Sequence, residues 1–204
     1  MPQGRPIIFP TMNRIEKLKN KVDNLYQSKN PDRADWADWL YQNHISVVAK
    51  NAEQLSKRFG VKNDLAIAAS VLHDIADAVT KREDPKHEEK SKEIAKKFLK
   101  ERDFTEDEIK IVVNDAIEFH GCKNGNKPKT IEGKIMATAD ALAHLKTNFY
   151  DHFLESLKKT DSFDEIAEWA LPKIERDYKN KIFFEDVRKE AEKDYNRVKA
   201  LFKT

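Results

Sequence analysis

Residues 65–72 form an apolar run, Leu-Ala-Ile-Ala-Ala-Ser-Val-Leu, that ends in His73-Asp74. Two polar, metal-seeking side chains at the end of a buried stretch need a partner. An ionised aspartate there costs several kcal/mol unless a cation or hydrogen bonds compensate it. His44, His87, His120 and Asp140 carry the same chemistry, and four of the six histidines fall in this series. Asp140 repeats the pattern of Asp74, as a single acid inside Lys134-Ile-Met-Ala-Thr-Ala-Asp-Ala-Leu-Ala. Imidazole together with carboxylate makes a site for a divalent first-row metal. His44 taken alone reads as a core histidine, because it aligns with Leu40 and Val48. Two buried acids and two histidines on three helices, however, can meet at one focus, as ligands do in helical bundles.

The elements that must carry these residues are helical throughout. Five glycines punctuate 204 residues, and no alternating apolar–polar run is long enough for a sheet. Ile15, Leu18, Val22 and Leu25 mark a first helix. Trp36, Leu40, His44, Val47 and Val48 mark a second, which stops near Gly60. A central buried helix is expected from about Asp64 to Val79, and a fourth opens at His87. Thr105 and Glu108 have capping-box spacing and start a helix that runs to His120. A polar loop follows from Gly121 to Thr130. A long helix from Ile131 to about Leu157 carries Asp140. Ser162 and Glu165 offer a second capping box, and Phe183 to Phe202 reads as a charged amphipathic helix.

Composition narrows the function. Lys+Arg 38 against Asp+Glu 36 lacks the basic excess of a dedicated nucleic-acid binder, so a nucleic-acid partner is not expected. The single cysteine, Cys122, excludes an intrachain disulfide and a cysteine-based zinc site. No apolar stretch has the length to span a bilayer, and Met-Pro-Gln-Gly-Arg-Pro-Ile-Ile-Phe-Pro lacks the apolar centre of a signal peptide. No membrane association and a cytoplasmic location are the expectations.

The ordered set His44, His73-Asp74 and Asp140, with Ala68-Ala-Ser-Val-Leu-His-Asp-Ile75 and Lys134-Ile-Met-Ala-Thr-Ala-Asp-Ala-Leu, resembles the HD superfamily of metal-dependent phosphohydrolases. The resemblance covers roughly residues 35 to 150. It implies an all-α fold, a helical HD-domain bundle with additional C-terminal helices. The corresponding division is residues 1–30 as an N-terminal segment and helix, 31–160 as the HD domain, and 161–204 as C-terminal helices packed on it. It implies a divalent ion (Mn, Fe, Co or Ni rather than Mg) held by His44, His73, Asp74 and Asp140. A second ion would be bridged by Asp74 and completed by His87 and His120, although His87 equally fits a solvated helix start. Asp77, one helical turn after Asp74, would position or deprotonate the attacking water, or else pair with Lys81. Lys123, Lys127 and Lys134 would add positive charge around a bound phosphate. His144 follows Asp140 by four residues and could reach the site from behind the ligands.

The activity so implied is hydrolysis of a phosphate ester or anhydride in a nucleotide or similar small phosphorylated molecule. A di-iron oxygenase of the same superfamily and a non-catalytic nucleotide-binding module are the alternatives. A homodimer is compatible with either. The charged closing helix is expected to be a solvated face.

Overall fold

A computed structural model describes residues 12–203. The N-terminal stretch expected to lack a signal peptide, Met-Pro-Gln-Gly-Arg-Pro-Ile-Ile-Phe-Pro, lies outside the described residues. Every described element is helical and none is a strand.

Helix α1 (Arg14–Gln27) begins at a capping box between Asn13 and Glu16, which satisfies two backbone N–H groups that would otherwise lack partners. It buries Ile15, Leu18 and Val22, the stripe its spacing predicts. Helix α2 (Ala37–Leu40) passes through a π-helical turn at Tyr41–Ile45 into α3 (Ser46–Arg58). Gly60 follows with φ +65°, the left-handed conformation expected at a helix end.

Helix α4 (Asp64–Leu72) is buried on nearly all sides, packed among α1, α3 and the chain around residues 110–117. The expected continuation to Val79 does not occur. The backbone leaves helical geometry at Asp74 (φ −118°, ψ 29°) and resumes as a tighter 3₁₀ turn at Ile75–Ala78. Helix α5 (His87–Lys100) opens at His87 as read from sequence. Helix α6 (Glu106–Ile109) starts at the Thr105–Glu108 capping box and runs into a π-helical stretch, Lys110–Ile117.

Helix α7 (Ile131–Lys146) is the second buried centrepiece and packs against α3 and α4. Its start is pinned by Asp115, whose carboxylate accepts from the backbone N–H groups of Lys129 and Thr130 and from the Thr130 hydroxyl. Gly133 is required there, because a Cβ would lie 2.8 Å from Asp115 Oδ2 and 2.7 Å from Pro128 Cβ. The expected single helix to Leu157 breaks at Thr147, whose hydroxyl donates to the Ala143 carbonyl and accepts from the Phe149 N–H. That internal competition for backbone partners ends α7 and starts α8 (Phe149–Leu157).

Helix α9 (Phe163–Arg176) begins at the Ser162–Glu165 capping box and leads into a π-helical turn, Asp177–Lys181. The closing segment is amphipathic as expected, but it divides at Ala191 into α10 (Glu185–Glu190) and α11 (Glu192–Ala200). One cluster of buried apolar side chains runs from Ile15 to Phe202, so the C-terminal helices complete the same core. No helix among the described residues is long and apolar enough to cross a membrane.

Candidate metal centre

Three elements bring the imidazoles together. His44 sits in the π-helical turn before α3, His73 caps the end of α4, and His120 ends the helical stretch after α6. π turns inside α-helices recur at functional sites, and His44 is buried in this one. His73 Nδ1 lies 2.8 Å from the Ser70 carbonyl, and His120 Nδ1 lies 2.6 Å from the Ile117 carbonyl. A carbonyl only accepts, so in both rings Nδ1 carries the proton and Nε2 presents its lone pair to the cleft. The His44 ring is held by packing, stacked on His144 at 4.8 Å and set against Phe149.

Asp140, on α7, stands at the focus. Its Oδ2 is taken by the Lys181 ammonium. Its Oδ1 is buried and has no hydrogen-bond partner, yet lies 3.1 Å from His44 Nε2, 3.5 Å from His144 Nε2 and 3.9 Å from His73 Nε2. His44 Nε2 and His73 Nε2 are 3.3 Å apart, and Asp74 Oδ2 is 3.6 Å from His73 Nε2. Donor atoms within 4.8 Å of one another group as His44–Asp140–His144, His44–His73–Asp74 and His73–His120–Asp140. Imidazole nitrogens and carboxylate oxygens gathered this closely are the donor set of a divalent first-row metal, so these residues fit such an ion and could hold one.

The protonation states suit that role. Burial pushes the His120 imidazole down to about 4 and His144 down to about 3, and it also lowers His44. Burial alone would raise Asp74 and Asp140. Arg82 and the nearby imidazoles instead hold Asp74 well below the usual carboxylate range, and His144 and Lys181 do the same for Asp140. At neutral pH the His44, His120 and His144 rings are therefore neutral and the two acids charged, which are the ligating forms.

Other expected residues stand elsewhere. Asp77 does not line the cleft. It is fully buried, with Oδ2 2.7 Å from Arg82 Nη1 and Oδ1 2.8 Å from His87 Nε2. The 3₁₀ turn stacks residues three apart. Asp74 and Asp77 therefore share one side, and Arg82 bridges both, lying 3.0 Å from Asp74 Oδ2. Lys81, the alternative partner of Asp77, pairs with Asp35 instead. His87 does line the cleft, but it is buried against Asp77 and belongs to none of the three donor groups. Lys123 lines the rim and pairs with Glu88 at 2.8 Å. Lys127 and Lys134 do not line the cleft. Six residues separate Lys134 from Asp140, a rotation of about 600° that turns it away from the acid.

The positive charge comes from residues that the sequence reading passed over: Arg82, Lys173, Arg176 and Lys181 all line the cleft, which encloses about 1070 Å³. Lys181 and Asp177, in the turn before the closing helix, are buried. Asp177 Oδ2 accepts from the Tyr150 hydroxyl at 2.6 Å and lies 3.0 Å from His144 Nδ1 and 3.1 Å from Lys173 Nζ. His144, set aside from the ligand set in the sequence, thus joins the centre as closely as His120 does.

The family model for the HD domain matches residues 41–145. Ribonuclease Y of Streptococcus agalactiae (serotype III, strain NEM316) is 30% identical over 125 residues, which cover 61% of this chain and 21% of that protein. Ribonuclease Y of Sulfurovum sp. (strain NBC37-1) is 28% identical over 136 residues, 66% of this chain and 24% of that protein. Ribonuclease Y of Oceanobacillus iheyensis is 29% identical over 126 residues, 61% and 22% respectively. The chain thus spans under a quarter of the length of these curated relatives. No solved structure matches it significantly.

Proposed function

The chain belongs to the HD domain family, and on that footing we propose that it is a metal-dependent phosphohydrolase cleaving a phosphate ester or anhydride of a nucleotide or similar small phosphorylated molecule. One observation carries this reading: three imidazole Nε2 atoms surround the unpartnered Asp140 Oδ1 in a cleft lined with cations. His44, His73, Asp74 and Asp140 would hold the ion, with His120 and His144 beside them. The imidazole-rich set favours manganese, iron, cobalt or nickel over magnesium. When bound, such an ion supplies Lewis acidity and makes hydroxide available near neutral pH.

The chain's own groups do the rest. The neutral His120 Nε2 can accept a proton inside the cleft. Arg82, Lys173 and Lys181 surround the carboxylates with charge that offsets a phosphate's oxygens. Arg82, seated between Asp74 and Asp77, already fills the space next to Asp74 with a cation. That favours one ion over two, and weighs against the di-iron oxygenase.

The rim favours a small substrate. Glu118, Glu88 and Asp84 pair there with Lys92, Lys123 and Lys90, so these three cations are already neutralised and offer little to a polynucleotide backbone. The relatives' name makes RNA the second substrate to test. The deciding experiment measures the metal content of protein purified without chelators, together with phosphate release from nucleoside mono-, di- and triphosphates, dinucleoside tetraphosphates and short RNA. Asp74→Asn should lose both the bound metal and more than a hundredfold in rate. An unchanged rate in that variant rejects the assignment.

A further inference from the structure

Beyond residue 145, where the match to the family ends, α9 turns one face to the cleft. Trp169, Lys173 and Arg176 stand at i, i+4 and i+7, and all three line the cavity. A rise of about 1.5 Å per residue sets Trp169 roughly 10 Å from Arg176 along the helix. The two ends of this stripe differ in chemistry.

At the rim, Trp169 is 45% exposed and stacks on Phe153 of α8 (ring centroids 4.5 Å apart, planes 16° apart). Phe153 in turn meets Phe149 at 6.1 Å, and Phe149 lies 4.2 Å from the His144 ring. A continuous aromatic wall therefore leads from solvent to the imidazoles of the metal centre.

Seven residues further along α9, Arg176 also lines the cleft. Its Nε is buried without a hydrogen-bond partner. Its guanidinium makes no ion pair among the described residues, whereas the other lysines and arginines that line the cleft are each paired with a carboxylate. A guanidinium kept unpaired in a cavity beside a stack of aromatic rings is poised for a planar ligand that carries an anion.

We propose that this stripe is a two-part subsite for a nucleoside phosphate, with the base stacked on the Trp169–Phe153 wall and a phosphate group held by Arg176. The proposal rests on the hydrolase reading only for the fate of the phosphate; the binding geometry stands apart from turnover. A rise of about 10 Å along the helix between the two residues leaves room for a base and a phosphate separated by one sugar. Stacking on an aromatic side chain tolerates any base, so all four common nucleotides should bind.

The test uses the full chain loaded with its metal. Calorimetric titration with AMP, GMP, CMP, UMP and ribose 5-phosphate gives Kd, and KM is taken wherever phosphate is released. Trp169→Ala should weaken the nucleotides roughly 5- to 100-fold, and ribose 5-phosphate, which has no ring to stack, at most twofold. Trp169→Phe should recover most of that loss. Arg176→Gln should weaken nucleotides and ribose 5-phosphate alike, by about tenfold or more. The proposal falls if Trp169→Ala moves both ligand classes equally or neither, if Arg176→Gln moves neither, or if none of the four nucleotides binds below millimolar. It also falls if Trp169→Ala only dissolves a dimer. If binding follows the expected pattern and nothing is hydrolysed, the hydrolase reading fails and the subsite stands. Hydrolysis that persists unaltered through both variants leaves the hydrolase and removes the subsite.

Discussion

Asp74 and Asp140 flank the same pair of imidazoles, and both are buried and ionised, but they are neutralised in opposite ways. Asp74 leans on Arg82, a side chain 38% exposed that is shared with Asp77 and has a route to water. Asp140 leans on Lys181, 3% exposed, whose ammonium also lies 3.4 Å from Asp177 Oδ1. Behind that lysine stand Tyr150, Lys173 and His144, all gathered on Asp177. The first arrangement can open without unpacking the core. The second is part of the core, so Asp140 is fixed in place before any ligand arrives, while Asp74 keeps freedom to adjust.

The sealed side should be the costlier to disturb. Lys181→Met leaves two buried carboxylates facing each other with one ammonium fewer, and breaking a buried ion pair from one side costs about 3–5 kcal/mol. Urea unfolding of the chelator-treated protein should register a loss of that size. Asp140→Asn combined with Lys181→Met should recover more than half of it, because the stranded charge is then gone. A loss under about 1 kcal/mol in the single variant would erase the distinction between the two sides.

Arg82→Met should cost less, about 1–2 kcal/mol, because water can reach Asp74 in its place and His87 stays on Asp77. The same unfolding assay reads it. Added manganese should restore more stability to this variant than to Lys181→Met, since a divalent cation near Asp74 substitutes for the missing guanidinium. Equal restoration in both would mean that the two acids meet the metal on equal terms.

The two sides also differ in how far the sequence disclosed them. His73, Asp74 and Asp140 could be picked out because each stands as a polar exception in an apolar run, His44 because it aligns with Leu40 and Val48, and His120 only through the family resemblance; two of the capping boxes could be read from their spacing. Lys181 and Asp177 could not. They lie in Glu175-Arg-Asp-Tyr-Lys-Asn-Lys181, where nearly every residue is charged or polar and no contrast marks the two that turn inward. The turning is done by the π-helical segment Asp177–Lys181, and a widened turn leaves no compositional trace. The same holds for the π turn at His44 and the 3₁₀ turn after Asp74, which moved Asp77 from the expected catalytic position into the bridge with Arg82. Helical periodicity assumes 3.6 residues per turn, so it fails where the turn departs from that value, and here those departures border the site.

The smallest effect should come from a pair that shares the site's ion-pair chemistry without its burial. Arg14 on α1 grips Glu108 of α6 with two bonds, 2.7 and 2.8 Å long, and reaches Asp64 of α4 at 3.1 Å. Both side chains of the Arg14–Glu108 pair are about a quarter exposed, so Arg14→Met should cost only about 0.5–1 kcal/mol at neutral pH, and less in high salt. The Arg14 guanidinium, against the cost of partial burial, holds the Glu108 carboxyl down at about 2. A carboxylate whose folded pKa lies below its unfolded value stabilises the fold fully above the unfolded value, near 4.5, and loses that contribution as pH falls toward 2. The gap in unfolding free energy between wild type and Arg14→Met should therefore be constant from about pH 7 to 5 and narrow between about 5 and 3. A gap that stays constant to pH 3 would show that Arg14 acts through its packing on the Phe104 ring, 4.2 Å away, rather than through charge.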